Sequence, residues 1–302
     1  MKTRNILSLL FLAFSTLTFA ATISDSEKNA LIDLYESTNG DQWNQKWDLN
    51  QPIENWYGVT VEDGKIIELD LSFNNLNGSL PNSIGKLSDL QKLNLHMNSI
   101  KGEIPNSIGR IANLKELNIS FNKISGEIPE SIYKLTSIES IVLFMNGIEG
   151  EISENIGNLT KLKEFSLYSN NLSGTIPSSI GELKNLKTFH VSSNQLEGQL
   201  PIEITKLVNL ETLSVFDNKM TGTLPMEIAN LSKLEELSLA NNSFEGLIPV
   251  SISKMKNLTT LMLNNNQFET KIDINIINMP SLKDFKFNPI PNGSKENAIV
   301  FE

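Results

Sequence analysis

Short runs of alternating apolar and polar residues recur along most of this chain. In the run Leu162–Asn170, apolar side chains occupy positions 162, 165 and 167, and mostly polar ones lie between them. Alternation with a period of two is typical of a β-strand with one buried side and one solvent-facing side. Each run therefore predicts one short strand, whose inward side chains need a neighbouring run to cover them.

The runs repeat every 24 residues, and each one ends in an asparagine. Nine asparagines mark this period without insertion or deletion: Asn74, Asn98, Asn122, Asn146, Asn170, Asn194, Asn218, Asn242 and Asn266. We number the copies one to nine by these ladder asparagines. A fixed period of this length indicates a solenoid, in which stacked copies bury a continuous core. The sequence predicts an α/β solenoid with a parallel sheet on its concave face and a helical N-terminal cap.

The rest of each copy predicts how the chain returns to the next strand. The ladder asparagine is expected to satisfy buried peptide groups in the turn, because its amide can both donate and accept. Gly174 and its equivalents predict a tight bend. Pro177 and its equivalents predict the start of a short helical or 3₁₀ segment on the convex side.

The frame L-x-x-L-x-L-x-x-N-x-L-x-G-x-I-P-x-x-I resembles that of plant-type leucine-rich repeats, over about residues 66–279. Receptor-kinase ectodomains and polygalacturonase-inhibiting proteins share this frame. Because that class binds peptides, steroids, enzymes and other receptors, the resemblance implies binding without naming a ligand. Plant caps usually carry two cysteines where this chain has Glu54 and Val61. The absence of cysteine suggests a bacterial member of the class.

The N-terminus predicts export. Lys2 and Arg4 precede an apolar run from Ile6 to Phe14, and small residues follow up to Ala20. This pattern is typical of a secretory signal peptide, and the run is shorter than the roughly 20 residues of a membrane-spanning helix. We expect a secreted, periplasmic or cell-surface protein. Its predicted parts are a signal peptide (1–20), an N-terminal cap (21–65), the nine copies (66–279) and a C-terminal cap with a tail (280–302).

The two ends of the repeat array are expected to be capped. Ser24 and Glu27 form a capping-box pattern, which predicts a helix that ends near Gly40. A group of aromatic residues follows, and it either fills the cap core in place of disulfides or forms a platform for carbohydrate. These residues are Trp43, Trp47, Trp56 and Tyr57. At the far end the frame decays, with Thr270 at the glycine position and Asp273 at the proline position.

Composition and motifs exclude several classes of function. His96 and His190 are the two histidines, and the frame places them four copies apart, so they cannot share a catalytic or metal site. No common catalytic motif is present. The net charge of −10 would repel phosphate backbones. We expect a monomer with no enzyme activity, no cofactor, no metal and no nucleic-acid partner.

One solvent-facing strand position departs from the frame in the middle of the array. The residue two before each ladder asparagine reads Ser72, His96, Ser120, Phe144, Tyr168, Ser192, Phe216, Ala240 and Asn264. The frame sets no packing requirement there, so aromatic residues at three of these positions predict an exposed apolar patch. Val142, Met145 and His190, at nearby outward positions, would extend it.

Exposed apolar patches mark interaction sites, so the predicted ligand-binding residues are Val142, Phe144, Met145, Tyr168, His190 and Phe216. The alternative is that the rings only stack on one another along the sheet. Acidic residues at outward positions would favour a partner with basic groups. They are Glu116, Glu164, Asp217 and Glu236.

Three functions follow from these observations. The first is an exported, non-catalytic module that binds a protein or peptide through its concave face. The second, implied by the resemblance, is an inhibitor of a secreted polysaccharide-degrading enzyme. The third is ice or surface binding, which needs an ordered row of threonines. The position after each glycine instead reads Ser79, Glu103, Glu127, Glu151, Thr175, Gln199, Thr223 and Leu247.

Overall fold

A computed structural model describes residues 23–288 of the 302-residue chain. The nine copies stack in order and contribute neighbouring strands to one 11-stranded sheet. The predicted solenoid is confirmed. The predicted signal peptide (1–20) and the tail from Gly293 onward lie outside the described residues.

The sheet pairs residues that are 24 positions apart, so each outward position forms a straight row across the strands. Phe165, for example, pairs with Ile141 on one side and Phe189 on the other. The first two strands are antiparallel and the others are parallel. The strands are Val59–Glu62, Lys65–Asp70, Lys92–Asn94, Glu116–Asn118, Ser140–Val142, Glu164–Ser166, Thr188–His190, Thr212–Ser214, Glu236–Ser238, Thr260–Met262 and Asp284–Lys286.

A second line of short parallel strands follows the ladder asparagines, and the sequence pattern did not predict it. A five-stranded sheet covers copies one to five, and a four-stranded sheet covers copies six to nine. The strands of the first are Asn77–Gly78, Ser99–Gly102, Lys123–Glu127, Gly147–Glu151 and Asn171–Ser173. Those of the second are Glu197–Gln199, Lys219–Gly222, Ser243–Gly246 and Gln267–Phe268.

The opposite side of the solenoid is built from 3₁₀ segments, as the prolines predict. Pro177 is the N-cap of one of them. Across the nine copies and the cap, the 3₁₀ segments are Gly40–Gln42, Ile53–Asn55, Asn82–Lys86, Asn106–Arg110, Ile132–Lys134, Glu154–Asn158, Ser178–Glu182, Ile202–Lys206, Met226–Asn230 and Val250–Lys254. In the ninth copy an α-helix, Ile274–Ile277, takes this place, and Asp273 caps its first turn through the backbone N–H of Asn275 at 2.8 Å.

The ladder asparagines bond as predicted. The Asn170 side-chain amide donates to the carbonyl oxygens of Leu143 and Leu167, at 3.1 and 3.0 Å. Its Oδ1 accepts from the backbone N–H of Ile148 at 3.0 Å. One side chain thus joins two successive copies, and the bonds satisfy peptide groups that are closed off from water.

The N-terminal cap begins with the helix Asp25–Ser37, which opens with the predicted capping box of Ser24 and Glu27. The three tryptophans of the cap are each at most 4% exposed and pack ring against ring. Tyr57 was predicted to join them, and this is wrong, because its side chain is 47% exposed. The first repeat strand, Lys65–Asp70, pairs with the antiparallel strand Val59–Glu62 of the cap.

Candidate binding site on the concave sheet

Six aromatic rings form a continuous line across copies one to six on the outward face of the 11-stranded sheet. Successive rings lie 4.2 to 5.5 Å apart, centre to centre. We call this line the aromatic track. Its members are Phe73, His96, Phe121, Phe144, Tyr168 and His190.

The centre of the aromatic track is stacked. The Phe144 and Tyr168 rings are 4.2 Å apart and tilted by 11°, and Tyr168 and His190 are 4.5 Å apart and tilted by 26°. The alternative in which the rings stack on one another therefore describes part of what is observed. Because these rings cover each other's faces, a partner meets mainly their edges. Ring edges carry partial positive charge and suit the face of another aromatic ring, whereas a carbohydrate platform needs open faces.

A row of strained apolar residues runs along the aromatic track and shares Phe73 and Phe121 with it. The residue just before each ladder asparagine has a positive φ, between 51° and 57° in the nine copies. In copies one to four this αL row consists of Phe73, Met97, Phe121 and Met145, whose exposed fractions are 61%, 47%, 36% and 41%. In copies five to nine the same position holds residues with short polar side chains: Ser169, Ser193, Asp217, Asn241 and Asn265.

Folding does not explain the apolar half of the αL row. A left-handed conformation is unfavourable for bulky side chains and best tolerated by glycine, asparagine and aspartate. Phenylalanine and methionine at this position add backbone strain and keep 36–61% of their surface exposed to water. Phe73, Met97 and Phe121 were not predicted as site residues. The period of 24 contained the information, but the backbone conformation that makes these residues unusual was not visible in it.

The predicted site residues do not all lie together. Phe144, Tyr168 and His190 belong to the aromatic track, and Met145 lies in the αL row beside it. Val142 is only 8% exposed, because it lies between strands on both sides and forms the floor of the patch. Phe216 has no ring contact within residues 23–288 and is separated from Tyr168 by copy six.

A polar gap separates Phe216 from the aromatic track. In copy six, Ser192 occupies the position of the aromatic residues and is 5% exposed. Its hydroxyl is 2.7 Å from that of Ser214 in the next copy. The apolar surface is therefore interrupted at this point, and the continuous part of the candidate site covers copies one to six.

A shallow cleft of about 360 Å³ opens beside Phe144. Glu116, Glu164 and Lys92 line its rim. Lys92 is engaged by Glu68 at 2.7 Å, and Ser140 donates to Glu164 at 2.8 Å. Within residues 23–288, neither Glu116 nor Glu164 forms an ion pair. The cleft therefore offers two carboxylates to a cation from outside.

Burial sets the protonation of the stacked rings. It lowers the pKa of His190, so its imidazole is neutral near pH 7, and it raises the pKa of Tyr168. The Nδ1 atom of His96 is 2.8 Å from the Ser120 hydroxyl. Farther along the sheet, burial also raises the pKa of Glu236, so this predicted acidic residue binds a proton more readily than an exposed glutamate does.

Neither a metal-binding cluster nor a membrane-spanning helix occurs between Ile23 and Asn288. Between Ile23 and Asn288, no three His, Cys, Asp or Glu side chains are grouped so that they could hold a metal ion. Over the same range, no helix has both the length and the apolar character needed to cross a bilayer.

Several solved ectodomains of plant receptor kinases are similar to this chain. The Arabidopsis thaliana receptor kinase GASSHO1/SCHENGEN3 ectodomain, solved with CASPARIAN STRIP INTEGRITY FACTOR 2, is 32% identical with a TM-score of 0.80, covering 84% of this chain and 31% of that one. The Arabidopsis HAESA ectodomain, solved with the IDA peptide hormone, is 27% identical with a TM-score of 0.72, covering 85% and 43%. This chain thus spans less than half of either receptor ectodomain.

A plant ice-binding protein is also similar in fold. It is 24% identical with a TM-score of 0.74, and the match covers 88% of this chain and 86% of that one. A comparison with curated protein sequences finds no match. A family model described as a leucine-rich repeat region matches residues 68–174 and 142–277. These two segments overlap and cover more than half of the sequence, so this chain belongs to the leucine-rich repeat family.

Proposed function

We propose that this protein is an exported, non-catalytic binding module that recognises a protein or peptide segment through the aromatic track and the apolar half of the αL row. The observation that carries the proposal is the αL row itself. Four consecutive copies hold a partly exposed Phe or Met in a left-handed conformation, which adds strain, and a contact with a partner is a physical reason to keep these residues there.

The similar structures support a ligand-binding function of this kind. The GASSHO1/SCHENGEN3 ectodomain was solved with CASPARIAN STRIP INTEGRITY FACTOR 2, and the HAESA ectodomain was solved with a peptide hormone. Binding of this kind needs no catalysis. The pattern of residues 1–20 supports export, and the missing cap cysteines support a bacterial source.

The surface favours a partner segment with both aromatic and basic side chains. An aromatic ring lying flat over the edges of Phe144 and Tyr168 would make the edge-to-face contact that aromatic pairs prefer. A lysine or arginine beside it would reach Glu116 and Glu164 at the cleft, where charge complementarity fixes the orientation. The site lies within one chain, so a single copy suffices for this contact. Nucleic acid is disfavoured by the same carboxylates.

The other two functions make different demands on the surface. An inhibitor of a polysaccharide-degrading enzyme would need a footprint large enough for a folded enzyme, so its contacts would extend past Ser192 to Phe216. Ice binding would need the ordered threonine row that the sequence lacks, and the similarity to the plant ice-binding protein concerns the fold. We therefore place the peptide-binding function first.

The proposal is tested by selecting ligands with the purified protein. Phage-displayed random 12-residue peptides would be panned on the immobilised chain, and a selected peptide would be synthesised for calorimetry. We expect enrichment of sequences that combine aromatic residues with lysine or arginine. Phe144→Ser and Tyr168→Ser should each weaken binding about 30-fold, because a central aromatic anchor contributes about 2 kcal/mol.

Matched controls locate the site. Asn264→Ser changes the same repeat position in copy nine and should leave affinity unchanged. Phe216→Ser also changes this position, and a loss of affinity there would extend the site to copy seven, as the inhibitor function requires. Equal affinity of the parent and the Phe144→Ser/Tyr168→Ser double variant would move the site off the aromatic track and refute the proposal.

A further inference from the structure

A second apolar row occupies the side of the solenoid where the 3₁₀ segments begin. The residue after each proline position is polar in copies one to five: Asn82, Asn106, Glu130, Glu154 and Ser178. In copies six to nine it is apolar: Ile202, Met226, Val250 and Ile274. The four apolar side chains are 47%, 71%, 50% and 61% exposed. We call these four residues the lateral stripe.

Packing within the chain does not require the lateral stripe. Each member is the first residue of its segment, and in copies one, two, four and five a polar residue begins the corresponding 3₁₀ segment. Leu247, 59% exposed, lies beside the stripe and lines a groove of about 450 Å³ together with Met226 and Val250. Of the eleven exposed large hydrophobic residues between Ile23 and Asn288, five thus lie on one face of copies six to nine. Such a concentration marks an interaction surface.

One acidic residue and one basic residue lie close to the centre of the lateral stripe. Glu227 in copy seven and Lys254 in copy eight line one groove of about 350 Å³ together with Met226 and Val250. Within residues 23–288 neither forms an ion pair. The midpoint of the stripe falls between copies seven and eight. An acidic and a basic group therefore lie on opposite sides of that midpoint.

We propose that the lateral stripe binds a second copy of this chain around a two-fold axis between copies seven and eight. Turning the stripe end for end places Met226 against the partner's Val250 and Ile202 against the partner's Ile274. The same rotation brings Glu227 to the partner's Lys254. A surface that is complementary to itself in this way forms a closed, isologous dimer. This replaces the monomer expected from the sequence, and it leaves the concave sheet of each copy open.

Sedimentation velocity on the purified protein tests the dimer directly. Because a row of four residues is small beside the roughly 800 Å² per partner of a standard interface, we expect a reversible dimer that is populated above about 10 μM. Met226→Glu puts two charges at the centre of the interface and should weaken association at least about tenfold. Asn106→Glu, at the same repeat position in copy two, is the matched control and should leave association unchanged. A parent protein that stays monomeric up to about 200 μM overturns the proposal.

A charge exchange tests the two-fold geometry. Glu227→Lys alone and Lys254→Glu alone should each weaken self-association, because each variant places like charges across the axis. Mixing the two variants should restore a heterodimer, and the double variant should restore a homodimer. Far-ultraviolet circular dichroism would verify that each variant is folded. A parent that dimerises while the mixture does not recover would show another interface and refute the lateral stripe. These results do not depend on peptide binding at the aromatic track.

Discussion

The first four copies and the last four copies share one backbone but differ at two outward positions. In the αL row the first four copies carry Phe and Met, and the last four carry Ser, Asp and Asn, although φ stays between 51° and 57° throughout. After the proline position the order is reversed, with polar residues in the first four copies and the lateral stripe in the last four. Copy five is polar at both positions, with Ser169 and Ser178.

The two halves of the array show which residue positions the fold constrains and which it leaves free to vary. Inward residues and ladder asparagines keep their character in both halves because each copy must bury the same surface. The two outward positions change character in the same place along the array and in opposite directions. This pattern supports two separate contact surfaces, one on the concave sheet of the first half and one on the side of the second half.

The largest expected effect comes from replacing ladder asparagines, which both halves of the array share. Asn122→Leu and Asn218→Leu should each lower the free energy of unfolding by about 1–3 kcal/mol, because buried peptide groups lose their partners. Asn122 accepts from Ile100 at 2.9 Å and Asn218 accepts from Leu196 at 2.9 Å, so the two losses should be equal. Urea denaturation measures both. Asn171→Leu, on the exposed neighbour of a ladder asparagine, is the control, and unchanged unfolding of either ladder variant would contradict the argument.

The second prediction separates the aromatic track from the isolated ring beyond it. Tyr168→Ser removes ring contacts with Phe144 and His190, so it should lower the free energy of unfolding by about 1–2 kcal/mol. Phe216→Ser changes the same repeat position without such contacts and should stay within about 0.5 kcal/mol. Thermal unfolding of the two variants gives the comparison. Equal losses would mean that stacking along the sheet adds nothing to stability.

The fold could be predicted from the sequence because every copy combines two signals, apolar alternation in the strand and an asparagine in the turn. Alternation at positions such as Phe165 and Leu167 marks the buried side of a strand, and the asparagine after it marks a turn whose peptide groups need partners. The second line of strands escaped detection because it is formed by backbone pairing after that turn and has little alternation of its own. The strand Val59–Glu62 escaped it for a related reason, since it is short and its pairing is irregular.

Only some residues of the candidate site could be predicted from the sequence. Phe144 and Tyr168 stood out because the frame has no packing requirement at their position. Phe73 and Phe121 lie at a neighbouring position whose left-handed backbone is known only from the structure, so their strain and their contact with His96 were hidden. Phe216 was grouped with the others by its repeat position, and the burial of Ser192 between them could not be predicted from spacing.

The third prediction exchanges residues between the two halves of the αL row. Met97→Asn should raise the free energy of unfolding by about 0.5–1 kcal/mol, because asparagine tolerates a left-handed conformation better than methionine. Asn241→Met, the reverse change in copy eight, should lower it by a similar amount. Urea denaturation of both variants is the measurement. A loss of stability in Met97→Asn would mean that the methionine contributes packing, which would remove the main argument for a partner at this row.

The smallest expected effect is a pH dependence confined to the end of the aromatic track. Burial lowers the pKa of His190, whereas in the unfolded chain histidine takes up a proton near its ordinary pKa of about 6.5. Below that pH the unfolded state binds the proton more readily, so stability falls as the pH drops towards the folded pKa.

His190→Phe isolates this contribution because it keeps a ring against Tyr168 and has no group to protonate. The variant should gain stability relative to the parent as the pH is lowered from about 7.5 to about 5, by less than about 1 kcal/mol because the imidazole is partly exposed to water. Glu236 in the second half works in the opposite sense, since burial raises its pKa and protonation in the folded state then adds stability at low pH. Its contribution is the same in parent and variant and cancels in the difference. Urea denaturation at several pH values gives that difference, and a gap that stays constant, or that widens as the pH rises, would show that the His190 ring is not held in a desolvated stack.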